Sequence, residues 1–310
     1  NGANNGANNG ANNGANNGTN NGANNAAPDP LAFAPNVSVM EIQATLEDME
    51  SFGTRYTGTE GERASREYLV DRLTQYGIET ELDAFNLGET QTANIIGRKP
   101  GTEEPNVVYI ISAHYDSTSD RPQVSAPGVD DNASGVSAVL ETARLLAPHD
   151  FKYSIWFVFT AAEEQGSRGS DFMVKWLARS GLEVRGVMAP DMIGYWPLQD
   201  DDAMDILGDS DSEALVESMA QVAEALGVRH KTYIQHGFCY GDDHTNFQEW
   251  DMPAIAPMDC VEAHNLPESG EETPHYHRAS DTLSTIYLPF TRDVIGVHVA
   301  TVASWAVPLR

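Results

Sequence analysis

Thr160-Ala161-Ala162-Glu163-Glu164-Gln165-Gly166-Ser167-Arg168-Gly169-Ser170 is the stretch on which the reading of the fold turns. It follows Ile155-Trp156-Phe157-Val158-Phe159, a run β-branched and aromatic enough to be a buried parallel strand, and precedes a helix-like segment from Asp171 to Ala178. Glu163 and Glu164 therefore stand where a strand ends, the place at which open α/β sheets hold ligands. Two adjacent carboxylates are costly there unless something cationic receives them. Taken alone, the stretch reads as well as a solvated acidic turn, so the other strand ends decide.

Outward from it, helices and strands alternate. Helical spacing of Val39, Ile42, Leu46 and Met49 predicts a helix from about Ser38 to Phe52. Thr59 with Glu62 three residues on forms a capping-box pattern for a second helix, with Gly77 as its stop. Strands are expected at Ile78 to Phe85, Asn94 to Arg98, Val107 to Ser112, Ser154 to Thr160, Val184 to Met188 and Ala254 to Met258. Further helices are expected at Gly135 to Ala147, Ser212 to Leu226 and Val294 to Val307. This order indicates an α/β fold: one mostly parallel central sheet with helices on both faces, in a single domain.

Residues 1 to 25 repeat Asn-Gly-Ala-Asn, with Thr19 the only variant, and cannot bury enough apolar area to offset backbone entropy. We expect residues 1–35 to be a tether and linker and the folded domain to span 36–310. The chain carries 18 basic and 46 acidic residues, a net charge of −28, which argues against nucleic acid or anionic lipid as partners. No apolar run is long enough to span a membrane. Two cysteines, Cys239 and Cys260, are too few for a disulfide scaffold, and one bridge or two free thiols both remain open.

Acidic and imidazole side chains recur at the loops that leave these elements. His114-Tyr115-Asp116 follows one strand, where an imidazole can ligate a metal while a carboxylate fixes its tautomer. Gly128-Val129-Asp130-Asp131-Asn132-Ala133-Ser134-Gly135 opens a helix, and either aspartate there could be a helix cap instead. Asp191 follows the strand ending at Met188, and His275 and His277 lie near the C-terminal end. The order His, Asp, Glu-Glu, Asp, His offers five imidazole and carboxylate ligands, which suit two divalent ions such as zinc. Without cysteine ligands such a site is catalytic in character, and the spare glutamate is placed to be a general base.

These motifs resemble those of the two-zinc aminopeptidases of the M-twenty-eight peptidase family, from about Asn94 to Thr285 and in the family's order. Asp131-x-x-Ser134-Gly135 and Ala162-Glu163-Glu164-x-Gly166 are the most specific blocks. The resemblance implies that Asp131 bridges two Zn²⁺ ions, with His114 and Asp191 completing one ligand set and Glu164 and His277 the other. By the family's spacing Asp131 is preferred to Asp130, and His277, four residues before Asp281, to His275. It further implies that Glu163 is the general base, that Asp116 orients His114, and that Met192 and the segment Gly237 to Phe247, with Tyr240 and His244, wall the substrate pocket. The activity implied is removal of N-terminal residues from peptides with a free amino terminus. Glutaminyl cyclases and carboxypeptidase- or dipeptidase-like enzymes resemble the chain less well: the former keep one zinc, and the latter usually insert a lid domain between the last two ligand motifs, for which there is little room. A binding module with a dead site would be expected to have lost ligands. We expect a monomer, exported and either secreted, periplasmic or surface-tethered through the low-complexity segment.

Overall fold

A computed structural model describes residues 27–196, 203–234, 242–259 and 273–310. Its first element lies inside the expected linker. Pro30–Asn36 forms a 3₁₀ helix capped by the Asp29 side chain, and it buries Phe33 and Ala34 against the C-terminal helix. Residues 30–36 of the expected linker are thus structured, because Leu31 and Phe33 supply apolar area that packs against the C-terminal helix. The repeat itself lies outside the described residues.

Helices α1 (Val39–Ser51) and α2 (Glu60–Gln75) follow, the first capped by Ser38 and the second by Thr59, whose hydroxyl accepts from the Glu62 N–H at 3.2 Å. The reciprocal half of a capping box does not form at Thr59. The Glu62 carboxylate turns inward and accepts from Tyr115, Thr92 and Arg66. Four partly or fully buried groups meet there, so the glutamate serves tertiary packing rather than its own helix end.

Eight strands among the described residues form one sheet. They are β1 (Glu79–Leu87), β2 (Thr90–Lys99), β3 (Glu104–His114), β4 (Tyr153–Thr160), β5 (Glu183–Met188), β6 (Met204–Gly208), β7 (His230–Ile234) and β8 (Ala254–Met258), ordered β1-β2-β4-β3-β5-β8-β6-β7. The centre, β4-β3-β5-β8, is parallel, as the apolar runs predict. Toward the flanks β2 and β1 run antiparallel, and β6 pairs antiparallel with β8 while β7 pairs parallel with β6, so the sheet as a whole is mixed.

Each central strand feeds two cores. Ile155, Phe157 and Phe159 of β4 face the larger one, with Ile111 and Ala113 of β3 and with α3 (Gly135–Leu146), α5 (Glu213–Leu226) and α7 (Leu288–Ala306). Trp156 and Val158 face the smaller one, with Ile110 and with Met173 and Val174 of α4 (Arg168–Leu177) and Phe247 of α6 (Asp243–Gln248). This period-two division is why these strands read as continuous apolar runs. The connection through α3 leads from β3 to one neighbour and the connection through α4 returns to the other. A crevice therefore opens at the carboxyl ends around β3.

His298 of α7 is fully buried in the larger core, its Nδ1 2.6 Å from the Val294 carbonyl, and burial holds its imidazole down to about 4. The unfolded chain takes up this proton near pH 6.5, whereas the folded chain does not until about pH 4. Stability from this residue is full above pH 6.5 and is lost as pH falls toward 4, by up to ~3 kcal/mol. His298→Asn should therefore flatten the fall in Tm between pH 7 and pH 4.5 relative to wild type. Equal slopes would exclude this role.

Candidate metal centre

Every expected ligand in the described residues lies at the carboxyl edge of the parallel strands. His114 is the last residue of β3 and is 1% exposed. Its Nδ1–H points at the Asp116 main-chain carbonyl, 3.2 Å away, which leaves Nε2 to face the crevice. Nε2 lies 3.2 Å from Asp131 Oδ1 and 3.3 Å from Asp191 Oδ2. On the other side, His277 Nε2 lies 3.4 Å from Asp131 Oδ2 and 3.0 Å from Glu164 Oε2. The two oxygens of one carboxylate thus face two different groups, His114–Asp191 and Glu164–His277, and within each group the donor atoms lie within 4.8 Å of one another.

The turn Val129–Ser134 that carries Asp131 is held from three sides. The Asp281 carboxylate accepts the N–H groups of Asp130 and Asp131 at 2.8 and 3.0 Å. Asn132 donates to the Pro190 carbonyl at 3.0 Å and accepts from the Gly135 N–H at 2.8 Å, which ties the Asp131 turn to the Asp191 loop. A Cβ on Gly135 would stand 2.3 Å from Asn132 Oδ1 and 2.4 Å from the Pro190 carbonyl, so the Ser134-Gly135 pair is fixed sterically. Gly128, at φ +54°, starts the turn where a Cβ would meet the Asp131 carbonyl at 2.4 Å.

Geometry separates the members of the two alternative pairs. Asp130 points away from the paired groups, and its Oδ1 accepts the N–H groups of Gly194 and Tyr195 at 2.7 and 3.1 Å. It shapes the loop after Asp191, whereas Asp131 lies between the histidines. His275 Nδ1 pairs with Ser280 Oγ at 3.0 Å and its ring meets Tyr195 edge-on, leaving His277 as the imidazole beside Glu164.

One expected interaction is different. Asp116 Oδ1 is 3.7 Å from His114 Nδ1, beyond hydrogen-bonding distance. Its two oxygens instead accept the N–H groups of Glu163 at 3.0 Å and Glu164 at 3.3 Å. Asp116 orients His114 through its carbonyl and anchors the glutamate pair through its side chain, because the parallel pairing of β3 with β4 brings the two strand ends together. Met192 and His244, expected as pocket walls, are 5% and 3% exposed. Met192 packs with Leu207, Ala256 and Met258, and His244 Nδ1 lies 3.4 Å from Asp242 Oδ2 in and before α6. Tyr240, Cys239 and Cys260 lie outside the described residues.

Two partners of the site are not singled out in the sequence, although the second lies within the expected pocket segment Gly237 to Phe247. Arg55 is fully buried and donates to the carbonyls of Met49, Tyr115, Pro127 and Gly128, at 2.5 to 3.2 Å. Asp243, at the start of α6, accepts a short hydrogen bond from Thr160 at the end of β4. Burial and then the neighbouring Asp242 push its carboxyl up to about 6.

The electrostatics call for a cation. Burial, followed by the charge of neighbouring carboxylates, pushes Glu164 well above the usual range. Burial does the same to Glu163 and Asp191, with His114 opposing and Asp242 adding to the rise in both. Asp131 is held low despite its burial, by its contact with His114 and the nearby His277 and Arg55. His114 Nε2, Glu164 Oε1 and Asp191 Oδ1 are buried and accept or donate no hydrogen bond. Three orphaned donor atoms and an excess of buried carboxylate around one crevice fit divalent metal, and imidazole with carboxylate and no thiolate fits zinc in a reactive rather than structural setting.

A sheet edge that presents unpaired metal donors beside a spare carboxylate defines a metal-dependent hydrolase. The model of Peptidase family M28 matches residues 94–302, and the chain belongs to that family. A probable zinc metalloprotease of Pyrenophora teres f. teres is 28% identical over 337 residues, covering 89% of this chain and 68% of its own. The fold is shared with the zinc aminopeptidase BSAP from Bacillus subtilis, 17% identical with a TM-score of 0.74 over 88% of this chain and 96% of that one. It is also shared with Porphyromonas gingivalis glutaminyl cyclase, 21% identical with a TM-score of 0.73 over 87% and 99%.

Proposed function

We propose that the chain is a two-zinc exopeptidase that removes residues from the free amino terminus of peptides. The observation that carries this reading is the Asp131 carboxylate, whose two oxygens are shared between His114 with Asp191 and Glu164 with His277. These five residues would hold the two ions. Bound zinc would supply Lewis-acid polarisation of the scissile carbonyl and lower the pKa of water from 15.7 to roughly 7.

What the chain itself contributes follows from its geometry. Glu163 belongs to neither ligand group and stands next to one ligand, its main chain anchored by Asp116. Its carboxylate accepts the proton of the attacking water as the new carbon–oxygen bond forms, and returns it to the nitrogen that leaves when the peptide carbon–nitrogen bond breaks. The surplus of carboxylates around the crevice receives an ammonium group at the substrate's amino terminus. A blocked terminus lacks that charge and binds poorly.

The test is a panel of aminoacyl-anilides, run on the protein as purified, after chelation, and after zinc is returned. Cleavage of free-amine substrates, abolished by chelation and restored at two zinc ions per chain, is the expected result. Silence on that panel together with cyclisation of N-terminal glutaminyl peptides would overturn the exopeptidase reading in favour of the chemistry of the structural neighbour.

A further inference from the structure

We infer that Ser167 is a positioning residue for Glu163: its hydroxyl fixes one carboxylate oxygen so that the other is presented to the water. This rests on the proposed role of Glu163 as general base. Ser167 Oγ donates to Glu163 Oε1 at 2.9 Å, and Ser167 is 5% exposed. The backbone between them closes tightly, since the N–H groups of Gly166 and Ser167 both reach the Glu163 carbonyl at 2.7 Å. Asn246 of α6 clamps the same turn from outside, its amide donating to the Ser167 carbonyl at 2.9 Å and to Ser170 Oγ at 2.8 Å.

The local backbone sharpens the point. Ser167 lies at φ +48°, ψ 43°, a left-handed conformation that glycine adopts freely and other residues adopt at a cost. A glycine would sit here unstrained. What the serine adds is the hydroxyl, and that hydroxyl faces the base. A glutamate has three rotatable bonds, and Asp116 restrains only its main chain. Without a partner the carboxylate would sample several orientations, and small misplacements of a reacting group are expensive in rate. The hydrogen bond at Oε1 removes that freedom and leaves Oε2 for proton transfer.

Ser167→Gly separates this role from a structural one. In the zinc-loaded enzyme we expect kcat to fall about tenfold with KM changed by less than about twofold, while Tm stays level or rises as the strain is relieved. Bound zinc should be unchanged. Ser167→Ala removes the same oxygen and keeps the strained backbone, and should lose the same rate. The Glu163 carboxyl-carbon resonance, assigned by its absence in Glu163→Gln, should move in both variants. Unchanged kcat and resonance would overturn the inference, as would a loss confined to the glycine variant, which would point to loop freedom instead. Should the wild-type protein cleave no N-terminal substrate, the exopeptidase reading fails, and the resonance alone decides whether Ser167 holds Glu163.

Discussion

Glu163→Gln should lower kcat by about a thousandfold while leaving zinc content and KM close to wild type. The size follows from the usual contribution of a positioned acid–base group, 10²–10⁴-fold. Glutamine keeps the volume and an oxygen that can accept from Ser167, so the turn Ala162–Ser167 has no reason to move. It cannot take a proton at neutral pH. Because Glu163 lies outside both candidate donor groups, the substitution leaves all five proposed metal donors in place. Steady-state kinetics on a leucyl-anilide, with zinc measured on the same sample, checks this. A variant retaining a tenth of wild-type kcat would show that another group carries the proton. Loss of zinc alongside the rate would place Glu163 among the ligands.

Arg55→Met should cost the fold about 4 kcal/mol, or roughly 10 °C in Tm for a domain of this size. Methionine is nearly as long and leaves no large cavity, so the loss isolates the polar contribution. Four main-chain carbonyls would lose the donor that serves them, in a place closed to water. The same change removes a positive charge from beneath Asp281, Asp116, Asp131 and Glu164, the acids that hold the guanidinium protonated against a burial that lowers it only to about 10. Since two of those carbonyls belong to Tyr115 and Gly128, the ends of the His114 and Asp131 segments would drift apart, and zinc affinity should fall with stability. Thermal unfolding of the chelated and zinc-loaded forms measures both. A loss under 1 kcal/mol would mean that water replaces the guanidinium.

The features legible in the sequence were those carried by short, local patterns. Central strands showed as apolar runs because both faces are covered, and the ligand residues showed because each follows such a run directly. The flanks were harder. His230–Ile234 is an edge strand with His230, Lys231 and Thr232, too polar to stand out, and Asp243–Gln248 is under two turns long. That β8 pairs antiparallel with β6 is a tertiary fact with no local period. Arg55 illustrates the limit most clearly. An arginine in a loop reads as solvated, and its burial depends on carbonyls contributed by three separate points of the chain. The Asp116 carboxylate bonds the glutamate pair rather than the imidazole, since a carboxylate two residues from an imidazole says nothing about which neighbouring strand end will offer it better donors.

Asp281 accepts its two hydrogen bonds from residues 151 and 150 positions earlier in the chain. Synthesis runs from the amino end, so a chain made as far as Asp191 already contains His114, Asp131 and Glu164 but lacks both the carboxylate that seats Asp131 and the second imidazole at His277. A polypeptide interrupted anywhere before Thr273 has an incomplete donor set, even where all eight strands are present. The donor set thus closes only once residues 277 and 281 have been added, late in the order in which its parts are made.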